Sequence, residues 1–243
     1  MEQRTGLILA AGYGSRLAGS VSETDFKPLT PVNGTPLIFR TIRSLELAGC
    51  SRVGIVLGYG AEKIKDRILS EYEGDLPLDF IVNDKYHLQN GVSVLAAKDY
   101  AGSTFVLTMA DHIIGDELMT LASEHHPPSN GATLLVDYKL DSIFDMDDAT
   151  KVQTDSSGNI ETIGKQLQEY NCVDTGVFIC TSGLIDALQE FYEAHGDASL
   201  SQGVQHLAKS GRMTTLDIGA GYWQDVDTPE MLEQAEQTLA ASE

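Results

Sequence analysis

Short apolar runs alternate with helix-spaced apolar residues over the first 130 positions, and this alternation indicates an α/β fold. Continuous apolar runs predict buried strands, whereas apolar residues three or four positions apart predict helices. Strands are predicted over residues 5–11, 53–57, 78–82 and 104–109, and helices around residues 38–45, 64–72, 90–100 and 118–122. The first helix is expected to begin at Thr35-Pro36, with Thr as its cap. Such alternation predicts a parallel sheet with helices on both faces.

The pattern changes after residue 130, where strand-like runs follow one another without helices between them. These runs cover residues 132–137, 150–154, 159–163 and 173–180. Helices are then predicted over 183–194 and 199–209, a short strand over 213–218, and a last helix from Thr228-Pro229-Glu230. We therefore expect a single domain over residues 1–243, with a β-rich lobe in its second half.

Glycines and cations follow the first predicted strand. Residues 12–34 are predicted to form a long loop, and loops of that length are usually functional. Gly12 and Gly14 allow the backbone to turn sharply and to approach a bulky ligand. Arg16 and Lys27 follow at positions where they can meet an anion. The loop therefore predicts a phosphate-binding edge, and the alternative is an ordinary glycine turn.

Two common nucleotide-binding motifs are excluded. Leu17 stands where a dinucleotide-binding loop requires glycine, and the next strand ends in Leu57-Gly58-Tyr59-Gly60 without an acidic residue for a ribose. Gly14 and Gly19 have the spacing of a P-loop, but Ser20-Val21 occupies the positions of Lys-Ser/Thr. The chain is therefore expected to be neither an NAD enzyme nor a P-loop NTPase.

The charge of the chain restricts its partners. It has 16 basic and 36 acidic residues, a formal net charge of −20. Such a surface repels nucleic acid and anionic lipid, so we expect neither as a partner. A ligand with phosphates would depend on local cations, and screening over ~8 Å allows a pocket to differ from the surface average.

The cysteines and the apolar runs indicate the compartment. Cys50, Cys172 and Cys180 are odd in number and widely spaced, unlike a disulfide framework or a zinc site. No run approaches the ~18 apolar residues needed to cross a bilayer, and no signal peptide is found. We expect a cytoplasmic protein without membrane insertion.

Carboxylates follow two of the predicted extended segments. Asp111 comes directly after the fourth strand, where an open α/β sheet binds ligands, although a turn or cap role is the alternative. Asp225 and Asp227 are two residues apart on an extended segment and point the same way, with Asp227 or Thr228 also placed to cap the last helix. Carboxylates can hold Mg²⁺, whose remaining positions are filled by water and phosphate oxygens. Together with the cations of the glycine loop, they predict nucleotidyl transfer, which requires alignment and charge neutralisation rather than a side-chain nucleophile.

The same residues resemble a known family. Leu9-Ala10-Ala11-Gly12 with Arg16-Leu17 and Lys27-Pro28-Leu29 is similar to the signature of nucleotidyltransferases that activate phosphorylated small molecules. The middle of the chain resembles the CTP:inositol-1-phosphate cytidylyltransferases in five segments. They are Asp111-His112, Asp141-Ser142-Ile143-Phe144, Asp148-Ala149-Thr150-Lys151-Val152, Ile163-Gly164-Lys165 and Asp174-Thr175-Gly176-Val177-Phe178. Asn83-Asp84-Lys85-Tyr86 through Asn90-Gly91-Val92-Ser93 resembles cytidylyltransferases more generally.

The resemblance implies a Rossmann-like, mixed, mainly parallel sheet, with a nucleotide-binding half over 1–130 and an acceptor-binding half over 131–243. It implies that Arg16 holds the β- and γ-phosphates of CTP and that Lys27 stabilises charge at the α-phosphate. The implied nucleotide-binding residues are Leu9, Ala10, Ala11, Gly12, Tyr13, Gly14, Asn83, Asn90, Gly91, Ser93 and Ala110. The implied acceptor-binding residues are Lys151, Lys165 and Asp174, and the implied Mg²⁺ ligands are Asp111, Asp225 and Asp227.

Several alternatives stay open at the level of sequence. Inositol 1-phosphate is the expected acceptor, giving CDP-inositol and pyrophosphate, and a phosphonate or a sugar 1-phosphate are the alternatives. A nucleotide-sensing protein without turnover is an alternative of another class. Some relatives carry a fused membrane domain, which is not expected in this chain because it ends at Glu243. The oligomeric state is not specified, and a homodimer remains an option.

Overall fold

The structure, a computed structural model, describes residues 4–14, 17 and 26–241. The strands are β1 (Arg4–Ala10), β2 (Pro31–Val32), β3 (Thr35–Pro36), β4 (Cys50–Leu57), β5 (Leu78–Val82), β6 (Thr104–Met109), β7 (His112–Ile114), β8 (Ala132–Asp137), β9 (Lys151–Thr154), β10 (Ile160–Gly164), β11 (Cys172–Thr181), β12 (Met213–Asp217) and β13 (Trp223–Asp225). The helices are α1 (Leu37–Leu47), α2 (Ala61–Glu71), α3 (Asn90–Ala96), α4 (Asp116–Glu124), α5 (Ser182–His195), α6 (Leu200–Lys209) and α7 (Pro229–Ala240). Short 3-10 helices cover Lys27–Leu29 and Leu140–Ser142.

Nine strands form one mixed sheet in the order β10-β9-β11-β6-β1-β4-β5, with β8 also pairing with β11 and β12 pairing with β8. The pairs of β1 with β4 and β6, of β4 with β5, and of β8 with β12 are parallel. The pairs that involve β11, and that of β9 with β10, are antiparallel. All strands except β10 and β11 therefore run in one direction, and the prediction of a mixed, mainly parallel sheet is confirmed.

Side chains that alternate along the central strands bury both faces of the sheet. Leu7 and Leu9 of β1 belong to the core cluster that contains side chains of α3, α5 and α6. Ile8 and Ala10 belong to the cluster that contains side chains of α1, α2 and α4. A continuous apolar run is required because each strand is covered on both sides. The first core contains residues from before and after position 130, so the predicted halves share one sheet and one core.

The prediction that α1 begins at Thr35-Pro36 was wrong. These two residues form β3, which pairs with β2 across Asn33 and Gly34, both with positive φ (46° and 78°). An Asn-Gly pair between two short extended segments is a strong hairpin signal, and it outweighs the capping pattern. Helix α1 begins at Leu37 without a side-chain cap.

A second, two-stranded sheet joins distant parts of the chain at the carboxyl end of β6. Strand β13 pairs antiparallel with β7, so that Asp225 lies opposite His112. The sequence did not indicate β7, because it is only three residues long and its partner lies more than a hundred positions away. Helix α7 follows, with Thr228 as its N-cap residue, as the sequence predicts. The hydroxyl of Thr228 accepts a hydrogen bond from the Met231 amide. Across residues 4–14, 17 and 26–241, no helix has the length and apolarity to cross a membrane.

Candidate functional site

Two adjoining cavities open at the carboxyl ends of β1 and β6. The larger has a volume of about 650 Å³ and the smaller about 320 Å³. Both are lined by Leu9, Gly12, Asp111 and Asp227. A ligand that extends from one cavity into the other therefore passes the residues that end the two central strands, as expected for an open α/β sheet.

The glycine loop forms one wall of the smaller cavity. Gly14 has φ +59°, and a Cβ there would lie 2.6 Å from the Cβ of Lys27. Any other residue would be strained and would displace the lysine, so this glycine is required for the close approach. The predicted nucleotide-binding residues at this wall are Leu9, Ala10, Gly12, Tyr13, Gly14 and Ala110, whereas Ala11 lines the larger cavity.

Lys27 is a cation of the smaller cavity, beside the two carboxylates that line both cavities. Its Nζ forms ion pairs with Asp111, at 2.5 Å, and with Asp227. Burial lowers the pKa of Lys27, but the two carboxylates more than offset it, so the pKa is raised and the amine stays charged. Burial likewise raises the pKa of Asp111, but Lys27 and His112 outweigh it and hold that pKa well below its usual value.

Carboxylates from two segments meet beside this lysine. Oxygens of Asp148, Asp225 and Asp227 lie within 4.8 Å of one another. Burial raises the pKa of Asp225; His112 and Lys27 oppose this shift, whereas the charges of Asp227 and Asp111 add to it. Like charges this close require a cation, and carboxylate oxygens are the donors that Mg²⁺ prefers. The residues present therefore fit a hard divalent ion.

Asp148 was not predicted as part of this group. It lies in the loop between β8 and β9, and its Oδ1 accepts a hydrogen bond from Lys165 at 2.6 Å. The sequence offered only its place in a segment that resembles the cytidylyltransferases, because no periodicity or local spacing connects position 148 with 225. The contact depends on tertiary structure.

The floor of the larger cavity near α3 carries hydrogen-bond donors in fixed orientations. The Leu200 amide donates to Oδ1 of Asn90 at 2.8 Å, which directs Nδ2 of that side chain elsewhere. The Lys85 amide donates to Oδ1 of Asn83, whose Nδ2 then donates to the hydroxyl of Ser93 at 3.0 Å. A hydroxyl that accepts one bond still carries its own hydrogen, so Ser93 can also act as a donor. Asn90 and Ser93 both line the cavity.

The far side of the larger cavity carries the predicted acceptor residues. Lys165 and Asp174 line it. Burial raises the pKa of Asp174 to about 6, although a hydrogen bond from the Gly176 amide to its Oδ1 opposes the shift. A carboxylate in this setting binds best to hydroxyl or ammonium donors that replace its lost hydration.

Four predicted site residues are not placed at the cavities. Asn83 is buried and reaches the larger cavity only through Ser93. Gly91 instead allows α3 to pack closely, since a Cβ there would lie 2.6 Å from the Ala198 carbonyl oxygen. Lys151 is buried, and its Nζ donates to the Asp147 carbonyl at 3.1 Å, away from the cavity lining that the described residues form. Arg16 lies outside the residues that the structure describes.

Comparisons with known proteins match nearly the whole chain. A family model described as "Nucleotidyl transferase" matches residues 5–242. The bifunctional IPC transferase and DIPP synthase of Aquifex aeolicus is 31% identical over 235 residues, which are 97% of this chain and 51% of that protein. The chain therefore spans about half the length of the first curated relatives that it matches.

Two further relatives bear on the acceptor side. The 2-aminoethylphosphonate cytidylyltransferase of Lancefieldella rimae is 32% identical over 164 residues, 66% of this chain and 64% of that protein. The solved structure of the inositol-1-phosphate CTP transferase from T. maritima superposes with a TM-score of 0.82 at 26% identity and covers 98% of both chains. The fold of the whole chain is thus shared with an experimentally determined structure.

Proposed function

Because this chain belongs to the nucleotidyl transferase family, we propose that it is a Mg²⁺-dependent cytidylyltransferase that moves CMP from CTP to inositol 1-phosphate. The products are CDP-inositol and pyrophosphate. The observation that carries this proposal is that Lys27 lines the smaller cavity and is paired with Asp111 and Asp227, the two carboxylates that line both cavities. One cavity would hold the triphosphate, and the other would hold the base and the acceptor.

The reaction needs only alignment and charge neutralisation from the protein. An oxygen of the acceptor phosphate attacks the α-phosphorus of CTP, the bond from that phosphorus to the β-phosphate oxygen breaks, and pyrophosphate leaves. Lys27 stays charged and lies where negative charge would develop. Lys165 would orient the acceptor phosphate from the opposite side of the cavity. The expected roles of Arg16, at the β- and γ-phosphates, and of the acceptor-binding half remain part of this proposal.

A divalent ion fits the carboxylates at this position. Asp111, Asp225 and Asp227, joined by Asp148, would hold Mg²⁺. When bound, Mg²⁺ neutralises charge on the phosphates and helps to orient them. The ligands come from both halves of the chain, so the predicted nucleotide-binding half would be incomplete without residues near position 225.

The donors of Asn90 and Ser93 support cytosine as the base. Cytosine presents two adjacent acceptors, O2 and N3, whereas uracil and thymine carry a hydrogen on N3. A site with two fixed donors would pair with the first pattern and leave a donor facing a donor in the second. A site built to make specific hydrogen bonds discriminates more strongly than one that relies on shape.

A phosphonate is the second candidate acceptor. It is favoured by the similarity to the 2-aminoethylphosphonate cytidylyltransferase and by the acidic side chains around the acceptor position, Asp145 and Asp174. These carboxylates would bind an ammonium group as well as they bind the hydroxyls of inositol.

Pyrophosphate release tests the proposal. The purified protein is incubated with Mg²⁺, one of CTP, UTP, dTTP or GTP, and one of inositol 1-phosphate, 2-aminoethylphosphonate or glucose 1-phosphate. Release with CTP and inositol 1-phosphate is expected. Release only with the phosphonate would transfer the assignment to the second candidate, and CTP binding without release from any acceptor would favour a nucleotide sensor.

A further inference from the structure

A buried carboxylate behind the metal-ligand group makes hydrogen bonds that the proposed chemistry does not use. Asp137 ends β8 and is 3% exposed, so its charge requires partners. Its Oδ1 accepts from the amide and from Nζ of Lys139, at 2.7 and 2.8 Å, and its Oδ2 accepts from Nε1 of Trp223 at 3.1 Å. Both oxygens therefore accept hydrogen bonds from the protein, and Asp137 also lies at the wall of the larger cavity.

Lys139 connects this carboxylate to the chain that leads into β13. Its Nζ also donates to the carbonyl oxygens of Gly219 and Gly221, at 2.7 and 3.2 Å. The Ile218 amide is in turn bonded to the Val136 carbonyl at 3.1 Å. The end of β8 thus holds the backbone immediately before Trp223.

Trp223 connects Asp137 to both proposed metal-binding segments, the one that carries Asp225 and the one that carries Asp111. It begins β13, which ends two residues later at Asp225. Its ring stacks on His112 with a centroid distance of 6.1 Å and an interplanar angle of 18°. His112 Nδ1 lies 2.7 Å from Asp111 Oδ1. Trp223 therefore lies two residues before Asp225 and packs against His112, the residue after Asp111, so it links two segments that are far apart in the sequence.

We infer that Asp137 is a positioning residue that acts through Trp223 to hold in place the two segments that carry Asp225 and Asp111. The inference rests on the proposed function, because it assumes that these carboxylates bind Mg²⁺. Outer partners that orient metal ligands typically contribute 10–100-fold to metal affinity or activity. Asp137 has the burial and the saturated hydrogen bonds expected of such a partner.

The test uses Asp137→Asn in the full chain, since the amide keeps the shape but removes the charge and one acceptor. Mn²⁺ binding is measured by the loss of its free electron-paramagnetic-resonance signal. We expect the dissociation constant to rise about tenfold. Trp223 is the single tryptophan, so its emission spectrum should also shift and report on the same contact. The matched control is Asp141→Asn, which removes one charge at an exposed position of the same segment and should change neither signal.

A second variant keeps the test decisive if Asp137→Asn folds poorly. Trp223→Phe keeps an aromatic ring but removes the Nε1 donor, and it should also weaken Mn²⁺ binding, with an effect that does not add to that of Asp137→Asn. Mn²⁺ constants within twofold of the control for both variants would overturn the inference. An increase in the KM of the acceptor with unchanged Mn²⁺ binding would also overturn it. Failure of the unaltered protein to bind Mn²⁺ would instead refute the metal site of the proposed function.

Discussion

The smaller cavity and the acceptor side of the larger cavity are formed by different kinds of groups. The smaller cavity is formed largely by backbone and small residues that are contiguous in sequence, from Leu9 to Gly14. The acceptor side of the larger cavity is formed by charged side chains from separate parts of the chain: Asp148 in the loop between β8 and β9, Lys165 just after β10, and Asp174 in β11. The backbone of the smaller cavity is held in place by the hydrogen bonds of the sheet. The charged side chains of the acceptor side are instead oriented by the ion pairs that they form. The nucleotide side is therefore set by local sequence and the acceptor side by tertiary contacts.

The largest expected effect is at the point where the two sides meet. Lys27→Ala should lower turnover by ~10²–10³, the typical result of removing one group that stabilises developing charge. Steady-state pyrophosphate release measures it, and circular dichroism checks folding, because the change leaves Asp111 and Asp227 without this partner. The control is Lys209→Ala, which removes a cation at the exposed end of α6. A rate equal to that of the control would refute the role of Lys27.

The next effect concerns pH and the acceptor side. Because burial raises the pKa of Asp174 to about 6, the carboxylate is ionised only above that pH. The kcat/KM for inositol 1-phosphate should therefore fall about tenfold from pH 7 to pH 5 through Asp174, and by a further factor through the acceptor phosphate, whose second pKa is also near 6. Asp174→Asn should remove the contribution of the protein to this pH dependence and leave that of the acceptor phosphate. If kcat/KM fell equally between pH 7 and pH 5 in the unaltered protein and in Asp174→Asn, the role of Asp174 would be contradicted.

The raised pKa of Asp174 also predicts how the stability of the fold changes with pH. Because the folded pKa of Asp174 is raised, the folded state binds more protons than the unfolded state between about pH 4 and 6, and this contribution to stability is lost as pH rises through that window. Asp174→Asn should therefore raise the melting temperature at pH 8 more than at pH 4. A larger rise in melting temperature at pH 4 than at pH 8 would contradict a raised pKa for Asp174.

The difference between the two sides also explains what the sequence could predict. The alternation of apolar runs predicted the parallel part of the sheet from local sequence. The glycine loop and the carboxylates after β6 and in β13 are also local patterns, and the structure places these residues at the two cavities. Asp137, Asp148 and the stacking of Trp223 on His112 depend on pairings across many residues, for which one sequence contains no signal. Lys151, whose acceptor-binding role was implied by the resemblance, is buried on β9 with its Nζ bonded to the Asp147 carbonyl, and that role stays a prediction.

A smaller effect is expected on the nucleotide side. Ser93→Ala removes one of the two donors beside α3, at a net loss of about 1 kcal/mol, or roughly fivefold, in the preference for CTP over UTP. The preference is measured as the ratio of kcat/KM for the two nucleotides. Ser142→Ala is the matched control, since Ser142 lines the same cavity on the acceptor side and should leave the ratio unchanged. If the ratio were unchanged in Ser93→Ala, the hydroxyl of Ser93 would have no role in recognising the base.

The smallest effect concerns the strand on which the two sides meet. β6 is parallel to β1 and antiparallel to β11, and Thr108 near its end is fully buried with a hydroxyl that has no hydrogen-bond partner within the described ranges. Thr108→Val keeps the shape and removes the unsatisfied group, so it should stabilise the fold by about 1 kcal/mol, or roughly 2–4 °C. Thr133→Val is the matched control on β8, because its equally buried hydroxyl is bonded to His125 and Thr214, and its loss should destabilise by a similar amount. Melting temperatures that move in the same direction for both variants would show that the hydroxyl of Thr108 is satisfied in solution.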